Sequence, residues 1–257
     1  MPILPGAEPY FHRGSTTGCL CLHGFMASPA EVRWLGVHLA QQGMTTYVPR
    51  LAGHGTHYTD MARMRWQDWY NSALDGYHIL HQQCEHVFVA GLSMGGMLTL
   101  LLGASVPVDG LAVLASPVVF HSRQMAYARW LKYLSPYTKQ PDRGNLPDLI
   151  REEQARRGEP VLGRVRYDDW STHAVGELYA LSLAVRPQLP QITAPLLLVY
   201  SEADKTVRIE NQATIASSVG SRVVEQHTLH TSDHILTQHI ERETVFALVA
   251  DFITRHI

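Results

Sequence analysis

His86-Val87-Phe88-Val89-Ala90-Gly91-Leu92-Ser93-Met94-Gly95-Gly96-Met97-Leu98-Thr99-Leu100-Leu101-Leu102 is the stretch that decides how this chain folds. Residues 86–90 are β-rich and apolar, the pattern of a strand buried on both faces, whereas Met97 to Leu102 read as the body of a helix. The link between them, Gly91 to Gly96, has to turn sharply. A turn that tight brings backbone against Gly91 and Gly95 and leaves no room for a Cβ there. Ser93 is thereby held at the carboxyl end of a strand and at a helix N-terminus, where the helix dipole and free N–H groups favour developing negative charge. No Gly-Lys-Ser/Thr follows these glycines and no basic residue lies close in sequence, which disfavours a phosphate-binding loop.

Working outward, the same strand–helix alternation recurs. Apolar β-rich runs stand at Gly18–His23, Thr45–Pro49, Leu111–Ser116, Leu196–Ser201 and Arg222–His227. Helical periodicity lies between them, so the expected fold class is α/β, with a mostly parallel central sheet flanked by helices. Ser28, Pro29 and Glu31 announce the first helix as cap, first residue and capping-box partner; Val32, Leu35 and Leu39 form its apolar stripe, and Gly43 stops it. A second helix, Trp66 to Leu80, places Trp66, Tyr70, Ala73, Tyr77 and Leu80 on one side. The last, about Arg242 to Ile257, presents Val245, Leu248, Val249 and Phe252. The rhythm breaks between Ser116 and Leu196, where no strong strand stands out. A structureless loop of that length is implausible, so the segment reads as a small helical cap, aromatic at its start (Met125, Tyr127, Trp130, Leu131, Tyr133) and charged in its middle. This divides the chain into a core of residues 1–116 and 191–257 and a cap or lid insertion of residues 117–190.

The chain has 257 residues, 46% hydrophobic and 17% charged, with a formal net charge of -2. That balance, without basic runs, argues against nucleic acid or an anionic membrane as partner. No apolar run approaches the roughly 20 residues needed to span a bilayer, and Met1 to Arg13 lack the basic-then-apolar pattern of a secretory signal. Cys19, Cys21 and Cys84 have no framework spacing and read as buried reduced thiols, which suits a cytoplasmic protein. Oligomeric state is not encoded in any of these features.

A serine hydroxyl becomes a nucleophile when a base takes its proton and an acid orients that base. Asp204 lies in the loop after the Leu196–Tyr200 strand, at the carboxyl end where an open α/β sheet collects functional groups. His234 follows the next strand, just before the final helix. The order serine, acid, histidine suits Ser93, Asp204 and His234; His230 competes for the base, and Glu202 and Asp233 for the acid. Donors for an oxyanion are expected from the backbone N–H groups of Phe25, in His23-Gly24-Phe25 after the first apolar strand, and of Met94 beside the nucleophile. Gly53-His54-Gly55 reads as a second tight turn near the site, with a direct part for His54 left open.

Together, His23-Gly24-Phe25, Gly53-His54-Gly55, Gly91-Leu92-Ser93-Met94-Gly95-Gly96, Asp204 with Val207, and His234 resemble bacterial carboxylesterases and monoacylglycerol lipases of the α/β-hydrolase superfamily. The resemblance runs from near residue 18 to the C-terminus, the cap being matched by position alone. It implies the α/β-hydrolase fold and an esterase acting on short- to medium-chain acyl esters or monoacylglycerols, with no metal or organic cofactor. The partner it implies is a small, lipophilic ester. Two positions depart from the pattern: Ser201 stands where glycine is frequent before the acid, and Asp233 where glycine usually precedes the histidine. The same triad also serves carbon–carbon bond hydrolases and thioesterases, and a ligand receptor on a hydrolase fold is the alternative outside catalysis. Serine at position 93, rather than aspartate, disfavours epoxide hydrolysis and dehalogenation.

Overall fold

A computed structural model of the chain describes residues 2–120, 134–140 and 144–257. Its main sheet has seven strands in the order β1-β3-β2-β4-β5-β8-β9. They are β1 (Tyr10–His12), β2 (Thr17–Leu22), β3 (Thr45–Val48), β4 (His86–Leu92), β5 (Gly110–Leu114), β8 (Leu196–Ser201) and β9 (Val224–Leu229). All neighbours pair in parallel except β1, which runs antiparallel along β3. Each expected strand is present, the last of them shifted two residues towards the C-terminus. The short edge strand β1 is an addition: its burial pattern is one intermediate and two exposed residues, which gives no apolar run to read.

Strand side chains alternate between two cores. Leu20, Leu22, Val87 and Val89 enter one, with residues of α3 (Trp66–His81), which follows the one-turn α2 (Tyr58–Met61), and of α4 (Met94–Ser105). Cys19, Cys21, Phe88 and Ala90 enter the other, with α1 (Ala30–Gln41) and a C-terminal helix, Arg242–Arg255. This period of two between two helical layers is why the strands are apolar almost throughout. The helix of Trp66–His81 is turned from its expected orientation, with Trp69 fully buried and Trp66 and Tyr70 only half-buried. In the C-terminal helix Phe246 is buried and Leu248 only partly so.

Between β5 and β8 the described residues contain β6 (Tyr137–Lys139), α5 (Leu146–Arg156), β7 (Asp169–Ser171) and α6 (Thr172–Val185). The insertion is therefore not purely helical: β6 and β7 form a two-stranded antiparallel sheet. The aromatic run Met125 to Tyr133 falls outside the described residues. Helix α6 buries Ala174, Leu178, Leu181 and Val185 in the same core as α3 and α4. After β8 come α7 (Glu210–Ala216), β9 and the C-terminal helix, α8 (Arg242–Arg255). Among the described residues no helix is long and apolar enough to cross a membrane.

The chain leaves β2 for β3 on one side and returns to β4 on the other, so strand order reverses between β2 and β4. Leu22 pairs with Gly91 and Leu92 with Leu114, which aligns the carboxyl ends of three adjacent strands. An open α/β sheet forms its crevice at such a point.

Candidate active site

The turn after β4 is as tight as its glycines imply. A Cβ on Gly91 would lie 2.2 Å from the Gly95 carbonyl oxygen, and one on Gly95 would lie 2.1 Å from the Leu22 carbonyl oxygen. Ser93 itself has φ 56° and ψ -114°. A non-glycine residue held at positive φ is strained, and the surrounding structure must over-determine it. Here the Ser93 N–H donates to the Leu114 carbonyl at 2.8 Å, tying the turn to β5, while its carbonyl accepts from Gly96 and Met97 in the first turn of α4.

Ser93 Oγ lies 2.9 Å from His234 Nε2, and His234 Nδ1 lies 2.8 Å from Asp204 Oδ2. The carboxylate accepts only, so the proton sits on Nδ1 and Nε2 is left to accept from the hydroxyl. The other oxygen, Asp204 Oδ1, accepts the N–H groups of Thr206 at 2.7 Å and Val207 at 2.8 Å. The Asp204 side chain is 1% exposed. Burial pushes its carboxyl up, but the His234 charge, that hydrogen bond and the two amides outweigh burial and hold it below the usual range. Burial likewise pushes His234 down, and Asp204 outweighs it, leaving the imidazole above the ordinary value; Glu31 adds to the rise and Arg164 opposes it.

The rivals separate cleanly. His230 Nδ1 pairs with Glu202 Oε2 at 2.9 Å, with side chains 70% and 59% exposed, so the competing base and one competing acid meet each other on the surface. Asp233 uses Oδ1 to accept the N–H groups of His234 and Lys205. His54 is buried, with Nδ1 against the Ala52 carbonyl at 3.1 Å and its ring edge-on to His23. None of its bonds reaches Ser93, His234 or Asp204.

The His23-Gly24-Phe25 turn lies directly on Ser93, since a Cβ on Gly24 would come 3.5 Å from Ser93 Cβ. His23 braces it from beneath: Nδ1–H donates to the Gly24 carbonyl at 2.9 Å and Nε2 accepts the Leu51 N–H at 3.2 Å. Glu31 is the unexpected participant. Its carboxylate does not close a capping box; Oε2 instead accepts the Gly24 N–H at 2.8 Å, and Oε1 faces Arg164 at 3.4 Å. Ser28 does not cap the helix either, because its hydroxyl donates to the Val165 carbonyl. With the Gly24 amide so engaged, the next N–H along the turn is that of Phe25. The inserted segment clamps this turn and the next one. Tyr167 donates its N–H to the Met26 carbonyl, and its hydroxyl donates to the Gly53 carbonyl and accepts the Thr56 N–H. Tyr167 carries no sequence signal, because the insertion around it has no motif. The Phe25 ring meets Trp69 and Trp170 edge-on at 5.8 and 5.4 Å, forming an aromatic wall beside the turn.

A family model described as serine aminopeptidase, S33 (Hydrolase_4) matches residues 16–241. The chain belongs to this family. It is similar over 256 residues, at 30% identity, to a thermostable monoacylglycerol lipase of Bacillus sp. (strain H-257), with 99% of this chain and 97% of the relative covered. A carboxylesterase of Bacillus subtilis (strain 168) is 27% identical over 249 residues, 96% of each chain. A solved structure from the pair LipS and LipT, two metagenome-derived lipolytic enzymes, superposes with a TM-score of 0.90 at 28% identity, covering 99% of this chain and all of that one. The protein is thus an α/β hydrolase of the esterase/lipase type.

Proposed function

We propose that this hydrolase cleaves short- to medium-chain carboxylic esters or monoacylglycerols by two-step acyl transfer, with Ser93 as nucleophile, His234 as base and Asp204 as orienting acid. Ser93 Oγ attacks the ester carbonyl while His234 Nε2 takes its proton. The N–H groups of Phe25 and Met94 stabilise the oxyanion, and His234 returns the proton to the departing alcohol. Water, deprotonated by the same imidazole, then releases the acid and regenerates Ser93. The observation that carries this reading is the unbroken relay of 2.9 and 2.8 Å from hydroxyl to imidazole to buried carboxylate. The wall of Phe25, Trp69 and Trp170 beside the turn supports a lipophilic substrate, since small-molecule pockets are mainly apolar with a few polar anchors. The two Bacillus relatives, a monoacylglycerol lipase and a carboxylesterase, point the same way. In this reading residues 117–190 are a cap over the core, and the three free, buried thiols suit a cytoplasmic setting.

The test is a panel of p-nitrophenyl esters of graded chain length, monoacylglycerols, acyl thioesters, diketones and aminoacyl anilides, run beside a fluorophosphonate probe mapped by mass spectrometry. Esters are expected to be turned over best, with the probe on Ser93 and Ser93→Ala lowering turnover on the order of a millionfold. Labelling elsewhere, or a preference for anilides or diketones, overturns the proposal.

A further inference from the structure

The loops bearing Asp204 and His234 leave the sheet side by side. Ser201 and Leu229 form the last pair of the β8–β9 ladder, and the Glu202 N–H donates to the Leu229 carbonyl at 2.9 Å. Beyond that rung the backbones carry no further ladder bonds, yet the two functional groups must meet within hydrogen-bond distance. Two side chains cross the gap to backbone groups of the opposite loop. Ser201 Oγ–H donates to the Ser232 carbonyl at 2.5 Å, from the acid loop to the base loop. Asp233 reaches back the other way: its Oδ1 accepts the Lys205 N–H at 3.1 Å and, at the same time, the N–H of His234 at 2.8 Å. Ser201 and Lys205 flank Asp204 in sequence, and Ser232 and Asp233 immediately precede His234. The crossings therefore bracket the Asp204–His234 bond. These are the same two positions, 201 and 233, at which glycine gives way to a side chain that can hydrogen bond.

We propose that Ser201 and Asp233 form a two-way latch between the acid and base loops, and that both are positioning residues which set the alignment of Asp204 with His234. The inference rests on the Ser93–His234–Asp204 reading above. Two neighbouring contacts differ in kind. Glu241 accepts the N–H groups of His230, Thr231 and Ser232, which anchors the base loop to the start of α8 without touching the acid loop. The Glu202–His230 pair does join the loops, but it is largely exposed, and exposed ion pairs hold little. Ser201 is buried and Asp233 half-buried, and an amide N–H given to an ionised carboxylate is the stronger kind of bond. Alignment of this sort acts on the chemical step, because a base displaced by about 1 Å loses up to a hundredfold in rate while substrate binding is left alone.

The experiment measures kcat and KM for p-nitrophenyl butyrate, with melting curves, in Asp233→Ala, Asp233→Asn, Ser201→Ala, the Ser201→Ala/Asp233→Ala double variant, His230→Ala and Asp204→Asn. Asp233→Ala is expected to lower kcat about tenfold with KM within about twofold, and the double variant to fall further, to roughly a hundredfold. Asp233→Asn keeps an oxygen acceptor for both amides and is expected to restore kcat to near wild type. His230→Ala is expected to change nothing. If Asp233→Ala and Ser201→Ala keep wild-type kcat while Asp204→Asn loses it, the latch is wrong and the triad stands. A fall in melting temperature without a fall in kcat overturns the latch too, as does Asp233→Asn being as slow as Asp233→Ala. Wild-type turnover by Asp204→Asn overturns the triad and the latch with it. If the double variant does not fold, Asp233→Ala and its asparagine counterpart decide the matter alone.

Discussion

Acid is expected to destabilise this protein through His23, the residue that braces the His23-Gly24-Phe25 turn. Its ring is fully buried, with Nδ1–H donating to the Gly24 carbonyl and Nε2 accepting the Leu51 N–H, so both nitrogens are committed in the neutral tautomer. Burial lowers its pKa from 6.5 to about 4. As pH falls below 6.5 the unfolded chain takes up a proton that the folded chain refuses. The stabilisation is thus complete above 6.5, erodes as pH falls, and is gone once pH passes below 4. A gap of about 2.5 between the two pKa values corresponds to about 3.4 kcal/mol, of which about 2 kcal/mol is already lost at pH 5. His23→Gln keeps a donor and an acceptor but does not titrate. Urea unfolding of both proteins at pH 7.5 and pH 5 is the assay, with stability taken from midpoints at constant m. The wild type is expected to lose about 2 kcal/mol more than His23→Gln over that interval. His54, edge-on to His23 at 4.8 Å, is lowered first by burial and then by His23; the burial part stays in both proteins, so the difference reports His23 together with its effect on His54. Parallel pH dependences in the two proteins would refute the reasoning.

Other outcomes follow from the same geometry. In the proposed mechanism His234 must be neutral to accept the Ser93 proton, so kcat/KM is expected to fall as pH drops through the raised His234 pKa, with a midpoint above the ordinary histidine value of about 6.5. Asp204→Asn is expected to lower turnover about ten-thousandfold and to move that midpoint down; a wild-type midpoint below 6.5 contradicts the assignment. Gly95→Ala forces a Cβ to within 2.1 Å of the Leu22 carbonyl and 2.8 Å of the His23 carbonyl, and both are backbone. It is expected to cost about 3 kcal/mol in urea unfolding and to abolish probe labelling of Ser93. Glu153, its side chain 4% exposed, joins Arg156 at the end of α5 and the following Arg157 to Arg242 on α8, and its pKa is held at about 2 first by the Arg156 hydrogen bond. Glu153→Ala is expected to cost about 3 kcal/mol by the same unfolding assay, without loss of Ser93 labelling.

The elements that hold Ser93, Asp204 and His234 are legible in the sequence because their signals are local. A strand buried on both faces is apolar throughout, a sharp strand-to-helix turn needs glycine where backbone crowds, and both hold for residues 86–102 before any contact is known. The parallel strands, the main helices, the turn of Ser93 and the loops of Asp204 and His234 can all be read in this way. Edge strand β1 cannot, because its three residues, one half-buried and two exposed, acquire meaning only by pairing with β3. Nor can the β6–β7 pair: Tyr137, Thr138 and Lys139 are all exposed, and their partners lie some thirty residues on. Glu31 misleads in an instructive way. Its spacing from Ser28 satisfies a capping rule, but the folded turn offers the Gly24 N–H, and the carboxylate takes that instead. His230 and His234 are four residues apart and chemically identical, so composition and order leave both open. Only the tertiary structure separates them, by packing one imidazole between Ser93 and Asp204 and leaving the other in water with Glu202. The sequence by itself determined which residue types stand at the ends of which strands. Which of those side chains meet was decided by the sheet register and by the bonds that cross between loops, and neither is a property of any one segment.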